Sequence, residues 1–266
     1  METRINRQAH LLYNRKIRDG YFRMGVGFAT PEVAPGQFVM LRVAESFDPL
    51  LRRPLGVYKV LGSRGKWAFK GTGVELLYRV VGRGTHLLST KEPGETMDVL
   101  GPLGNGFPVI NGVESTKVIM VGGGMGIVPF HLLRKVFPEA LFLFGARGAV
   151  EAGLASDFKG MGRKLKITTE DGSVGTKGLV TALLKKEITK GSVIYACGPP
   201  GMLKAVAAMA LREGSRCYVS LERAMACGIG VCLGCAVKTR KKEKTYKMVC
   251  SEGPVFDSTL IDWEKL

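Results

Sequence analysis

The sequence predicts a multi-domain protein of the α/β plus β class: an N-terminal antiparallel β-barrel, a parallel α/β domain, and a small cysteine-rich C-terminal domain. Three observations predict it. Short apolar runs punctuated by glycine and proline fill residues 8–110, helix and strand patterns alternate after residue 117, and four of the six cysteines fall in the last 45 residues. At 266 residues the chain exceeds one average domain of about 150 residues. The expected boundaries are 1–112, 113–219 and 220–266.

In the first segment, Ala34-Pro-Gly-Gln-Phe-Val-Met-Leu-Arg-Val alternates after a Pro-Gly turn. Similar runs recur at Val57 to Leu61, Val74 to Val81 and Thr96 to Leu100, a spacing that favours an antiparallel barrel or sandwich. The pattern then changes. Lys117-Val-Ile-Met-Val-Gly-Gly-Gly reads as a short buried strand entering a glycine turn, followed by a helical pattern from Ile127 to Val136 and a strand from Ala140 to Phe144. Strands at Lys164 to Thr169, Ser192 to Cys197 and Cys217 to Leu221 alternate with helices at Leu179 to Lys185 and Met202 to Arg212. Such alternation is the mark of a parallel sheet covered by helices. The last 45 residues hold no helix of consequence.

Composition is that of a globular protein, 45% hydrophobic and 23% charged, with 36 glycines that imply many tight turns or close backbone approaches. No apolar stretch approaches the roughly 20 residues of a membrane span, and the charged N-terminus is not followed by the apolar core of a secretory signal. A cytoplasmic location is expected. The formal net charge of +16 raises the question of nucleic acid. The charge is scattered, and its densest run, Lys238-Thr-Arg-Lys-Lys-Glu-Lys, has no interleaved aromatics on which bases would stack. No nucleic-acid binding is expected; the run reads as a solvated hairpin or a surface complementary to an acidic partner.

The chemistry lies in the cysteines. Cys227, Cys232 and Cys235 are separated by four and two residues, and Cys250 follows after fourteen. This is the plant-type spacing of a 2Fe-2S cluster. Gly228, Gly230 and Gly234 allow positive φ and bring N–H groups close to the sulfurs, where they stabilise added negative charge. Disulfides do not suit a cytosolic chain. Zinc remains a rival, although structural zinc usually pairs its cysteines in two short-spaced knuckles. Cys217 reads as a core residue.

Two further sets of residues suit nucleotides. In Arg52-Arg-Pro-Leu-Gly-Val-Tyr, the planar fork of Arg53 can clamp a pyrophosphate while Pro54 fixes the turn. Leu77-Tyr-Arg-Val-Val-Gly-Arg-Gly-Thr joins an aromatic and an arginine to a glycine turn ending in Thr85, and Gly101-Pro-Leu-Gly-Asn-Gly-Phe supplies another such turn; Tyr78 alternatively packs as an ordinary strand aromatic. Val121-Gly-Gly-Gly-Met-Gly-Ile-Val-Pro, with Gly122, Gly123, Gly124 and Gly126, follows a strand and opens a helix, the context in which glycine turns hold pyrophosphate. It departs from the usual dinucleotide fingerprint: Ile127 replaces the third glycine and no acidic residue ends the next strand at Phe144. A later strand ends in Tyr195-Ala-Cys-Gly-Pro-Pro-Gly-Met, placing Cys197 and Gly198 at the carboxyl edge of the sheet, where ligands of α/β folds bind. His131 reads as a packing or surface residue.

On these residues, and above all on Glu222-Arg-Ala-Met-Ala-Cys-Gly-Ile-Gly-Val-Cys-Leu-Gly-Cys, nearly the whole chain resembles the electron-transfer subunits of dihydroorotate dehydrogenase B, within the ferredoxin-reductase superfamily. The resemblance implies FAD in the barrel, NAD as the substrate of the α/β domain, and a 2Fe-2S cluster facing an FMN-containing catalytic subunit, in a heterotetramer of two heterodimers. It also implies a role: electrons pass from that FMN through cluster and FAD to NAD in pyrimidine biosynthesis. Carried over by position, Arg53, Pro54, Leu55, Gly56, Leu77, Tyr78, Arg79, Gly84 and Thr85 contact FAD, the four cysteines hold the cluster, and no acid–base residue is expected. One departure is Gly56, where relatives usually carry a serine or threonine hydroxyl near the flavin ring. Two other readings stay open, a flavin and iron–sulfur subunit of a ferredoxin:NAD(P) oxidoreductase or sulfide dehydrogenase, and a zinc-stabilised binding module.

Overall fold

The computed structural model describes residues 5–62, 69–110, 116–240 and 245–266. The expected boundary at 112/113 and residues 241–244 of the basic run lie outside the described residues. The chain forms two compact units. The first takes residues through Gly106 together with Glu222–Ala236 and Met248–Pro254; the second takes Phe107–Leu221, Val237–Lys247 and Val255–Leu266.

Six antiparallel strands build the first unit: β1 (Ile5–Arg18), β2 (Tyr21–Val33), β3 (Phe38–Leu41), β4 (Arg53–Leu61), β5 (Phe69–Arg79) and β6 (Thr96–Leu103). They close in the order β1-β2-β5-β4-β3-β6, which leaves no unpaired edge. Met24, Val26, Val39, Met40, Val57, Val74, Leu76 and Val99 fill the interior. The Pro-Gly turn before β3 is held by Gln37, whose side-chain oxygen accepts from the Ala34 N–H at 2.9 Å while its amide donates to the Gly104 carbonyl at 2.7 Å. A helix, α1 (Arg83–Ser89), sits between β5 and β6 where the sequence suggested strands alone. Seven residues with only Gly84 and Leu88 buried are too few to display a helical period.

A bulge in β1 gives two glycines of β2 a role. The register slips between Leu11, opposite Val26, and Tyr13, opposite Gly25. Leu12 then lies against Gly27 and the Tyr13 ring against Gly25, covering strand that carries no side chain of its own. Crossing Gly25 brings the Tyr13 hydroxyl to Glu75, to which it donates at 2.5 Å. Burial of the phenol, followed by its bond to Glu75, pushes the Tyr13 pKa up. The Glu75 carboxylate, 5% exposed, also faces Lys59 Nζ at 3.5 Å. A β-carbon at Gly25 would stand 2.4 Å from the ring. Gly25→Ala is therefore expected to displace Tyr13 and cost about 1–3 kcal/mol, read as a lower melting temperature of the purified protein; an unchanged midpoint would show the ring to be dispensable.

The second unit is built on β7 (Val118–Gly123), α2 (Phe130–Val136), β8 (Leu141–Ala146), α3 (Ala149–Ala152), β9 (Leu165–Thr169), β10 (Thr176–Lys177), α4 (Val180–Glu187), β11 (Val193–Cys197), α5 (Pro200–Arg212) and β12 (Arg216–Ser220). After these come β13 (Ala236–Lys238), β14 (Tyr246–Met248) and β15 (Val255–Asp257). One sheet runs β10-β9-β8-β7-β11-β12-β15, parallel from β10 to β12, with β15 antiparallel at the edge. Its central strands are apolar throughout because both faces are covered; Phe130, Phe142, Phe144 and Phe158 pack on one another beside them. The glycine turn after β7 does not open the expected helix at Ile127. Gly124–Ile127 form a 3₁₀ turn, and α2 begins at Phe130, after Pro129, which has no N–H to donate. His131 is 4% exposed, edge-on to Phe158 with its Nε2 3.2 Å from an Arg134 nitrogen, so it packs. Among the described residues no helix is long and apolar enough to cross a membrane.

Candidate functional site

The four cysteines lie in the first unit, on a loop between β12 and β13 and on the turn after β14. All are free thiols. Cys235 and Cys250 are buried with their sulfurs 3.3 Å apart, well beyond a disulfide's roughly 2.05 Å; Cys227 is half-buried and Cys232 exposed. Backbone N–H groups turn toward the sulfurs: Ile229 and Cys232 donate to Cys227 Sγ at 3.4 Å, Gly230 to Cys250 Sγ at 3.1 Å, and Cys250 to Cys235 Sγ at 3.4 Å. Burial raises the Cys227 thiol, but the N–H groups of Cys232 and Ile229 outweigh it and bring the pKa down to about 6. Burial, then the neighbouring Cys235, pushes Cys250 up to about 12. Among the described residues no three His, Cys, Asp or Glu side chains gather tightly enough to hold a single metal ion. The donor set, four free thiols with N–H groups aimed at three of them, is what a two-iron cluster takes from its protein.

Three residues of the loop carry positive φ. Gly228 and Gly230 take positive φ, at 74° and 83°, and Gly230 donates to a sulfur as predicted. Gly234 does not; its neighbour Leu233 carries the left-handed turn at φ 58°. A non-glycine residue held there marks a constrained loop. Gly228 is needed twice over, because a β-carbon would meet Met40 of β3 at 2.9 Å. Around this loop Ile229, Val231 and Leu233 are 43%, 74% and 63% exposed, an apolar rim.

On the barrel, the structure brings Arg53 and Gly84 together. The Arg53 guanidinium donates through Nη1 to the Leu51 carbonyl and lies across Gly84, where a β-carbon would stand 2.3 Å from Nε. Of its five N–H donors, one is engaged among the described residues. The other four have no hydrogen-bond partner among the described residues. Pro54, Leu55 and Gly56 follow on β4, opposite Met40, Val39 and Phe38 of β3. Thr85 serves its own turn: its hydroxyl accepts from the N–H groups of Val81 and Gly82 at 2.9 and 3.2 Å. Leu77 and Tyr78 are buried, with Tyr78 stacked on Phe22 and donating to Asn14 at 2.9 Å. Arg79 lies 5.7 Å over the Tyr21 ring.

In the second unit, two glycine turns meet at the carboxyl edge of the sheet. Cys197 at the end of β11 is in register with Gly122 of β7. A β-carbon on Gly126 would stand 2.0 Å from the Cys197 carbonyl oxygen, and one on Gly198 would stand 3.1 Å from Gly123. Gly124 and Gly198 have φ of 53° and 155°. Neither turn has free room for a β-carbon where the two meet. Sequence reasoning missed Glu151 of α3. Strand β8 runs on to Ala146, and from α3 beyond it Glu151 returns to the turn, accepting from the Arg147 N–H at 2.8 Å and standing 3.0 Å from where a Gly124 β-carbon would be. The one available signal is an acidic residue a few positions past the second strand.

Comparison with known proteins agrees with this geometry. Residues 222–262 match the family model of the iron–sulfur cluster binding domain of dihydroorotate dehydrogenase B. The chain is 40% identical over 227 residues to the electron transfer subunit of dihydroorotate dehydrogenase B (NAD(+)) from Bacillus caldolyticus, covering 84% of each chain. It is 38% identical over 252 residues to the subunit so named from Caldanaerobacter subterraneus, covering 94% of this chain and 95% of that one. A solved structure described as an NADH-dependent reduced ferredoxin-NADP oxidoreductase, concerned with flavin-based electron bifurcation, superposes with a TM-score of 0.80 at 30% identity, over 98% of this chain and 92% of the other.

Proposed function

We propose, because this chain belongs to the family of electron transfer subunits of dihydroorotate dehydrogenase B, that it carries electrons from the FMN of a catalytic partner, through a 2Fe-2S cluster and FAD, to NAD+ in pyrimidine biosynthesis. The observation that carries the reading is the cysteine loop: four free thiols at ferredoxin spacing within the matched iron–sulfur segment. When bound, the flavin and cluster supply the conversion between hydride and single-electron chemistry.

The chain's own residues bind, orient and shield. Cys227, Cys232, Cys235 and Cys250 would hold the cluster, and the N–H groups of Ile229, Gly230 and Cys232 place positive dipoles on the sulfurs. Arg53 would take the FAD pyrophosphate with its unspent donors, its fork fixed by Leu51 and Gly84; Pro54, Leu55, Gly56, Arg79 and the turn at Thr85 complete that site. Gly122, Gly123, Gly124, Gly126, Cys197 and Gly198 would seat the nicotinamide nucleotide. Glu151 beside Gly124 suits a ribose diol and repels a 2′-phosphate, which favours NAD. The apolar rim of Ile229, Val231 and Leu233 suits burial under the FMN-containing subunit, in a cytoplasmic heterotetramer of two heterodimers. Three functional domains, 1–112 for FAD, 113–219 for NAD and 220–266 for the cluster, describe this division of work.

The test is reconstitution with the catalytic subunit. Dihydroorotate-dependent reduction of NAD+ is expected only when both chains are present; equal rates from the catalytic subunit alone would remove the role. A second reading rests on the 30% identity to the NADH-dependent reduced ferredoxin-NADP oxidoreductase over almost the whole chain. It predicts nucleotide reduction driven by reduced ferredoxin and none driven by dihydroorotate.

A further inference from the structure

The turn that carries Cys250 spends its backbone groups in an ordered way. The N–H groups of Ser251, Glu252 and Gly253 all donate to one carbonyl, that of Met248, at 3.3, 2.8 and 3.2 Å. The Glu252 carboxylate closes the turn by accepting from the Met248 N–H at 2.9 Å. The carbonyls of the same three residues all accept from one residue of the barrel. Asn105, just beyond β6, donates its side-chain amide to Ser251 and Glu252 at 3.2 and 3.1 Å and its backbone N–H to Gly253 at 2.6 Å. Next to it, Gly104 at φ 72° comes so close that a β-carbon would stand 2.6 Å from the Gly253 oxygen. Backbone polar groups must find partners, and here three consecutive carbonyls find theirs in a single asparagine.

We propose that Asn105 is the positioning residue for the distant cluster ligand, Cys250. Cys227, Cys232 and Cys235 share one loop, in which the Cys232 N–H donates to Cys227 Sγ. Cys250 comes from a separate turn, with fourteen residues between it and Cys235. That turn is internally closed on Met248; Cys235 Sγ and the Gly230 N–H meet Cys250 directly, while the Asn105 bonds tie the turn that carries it to the barrel. Only an amide or similar donor serves here, because every partner is an acceptor. The Gly-Pro-Leu-Gly-Asn-Gly-Phe motif thereby acquires a role at the cluster in addition to forming a glycine turn in the barrel.

The inference rests on the cluster reading, and its test separates the two. Asn105→Asp keeps the shape of the side chain but replaces its donors with an anion facing carbonyl oxygens. In the complex with the catalytic subunit, the visible absorbance of the cluster is expected to decay about tenfold faster under chelator than in the wild type, within the 10–100-fold typical of residues that hold a metal's ligands in place. The electron paramagnetic resonance line shape of the reduced cluster should change, while FAD content stays at the wild-type value. Asn105→Ala keeps the backbone bond to Gly253 and should fall between the two; it decides the matter should the aspartate variant fail to fold. Wild-type decay and line shape in a folded variant would overturn the proposal. So would loss of FAD with an intact cluster, which would return Asn105 to the flavin. A wild-type complex without iron would instead sink the cluster reading itself.

Discussion

Replacing Cys232 by serine is expected to strip the cluster from the purified complex while leaving flavin bound. Cys232 is the most exposed of the four thiols, at the tip of the loop, and its N–H already serves Cys227. A serine hydroxyl is a hard, weakly acidic donor where iron–sulfur chemistry takes soft thiolates. Positions that only support a ligand are worth 10–100-fold in metal affinity, so loss of a ligand should lower iron content by more than about tenfold. The bonds that fix Arg53 do not involve this side chain: Arg53 is held by Leu51 and Gly84. The variant should therefore keep FAD and NADH-dependent dye reduction, and lose dihydroorotate-dependent NAD+ reduction. Unchanged iron and sulfide would count against the ligand assignment.

Gly126→Ala should have an effect of similar size on the nucleotide. The added β-carbon would stand 2.0 Å from the Cys197 carbonyl oxygen and 2.7 Å from the Gly198 nitrogen. Both neighbours are backbone, so no rotamer change relieves the overlap and one turn must move by about an ångström. Misplacement on that scale costs about 100-fold in rate when it disturbs a bound reactant. Turnover with NADH should fall by that order, with iron and FAD content at wild-type values. A variant that reduces NAD+ at the normal rate would show that the meeting of the two turns is not where nucleotide binds.

Much of this was legible locally. Strand length, Pro-Gly punctuation and the switch to helix–strand alternation at residue 117 depend on neighbours in sequence, and they predicted the barrel and the parallel sheet. The cysteine spacing works in the same way, because three of the four cysteines share one loop. What escaped the sequence was short or distant. Helix α1 is one face of two turns, β15 is three residues joining a sheet edge, and Asn105 meets its partners across more than half the chain. The positive φ fell on Leu233 and not on Gly234, a choice made by the geometry of the whole loop and not by the freedom of one residue. For Tyr78 the sequence offered a ligand contact with strand packing as the alternative, and the ring does lie on Phe22.

The claim on which the rest depends is the cluster, and metal analysis of the complex isolated without oxygen tests it most directly. Iron and acid-labile sulfide in equimolar amounts, with a paramagnetic signal on reduction by NADH, are the predicted result. Stoichiometric zinc with neither iron nor sulfide would contradict it.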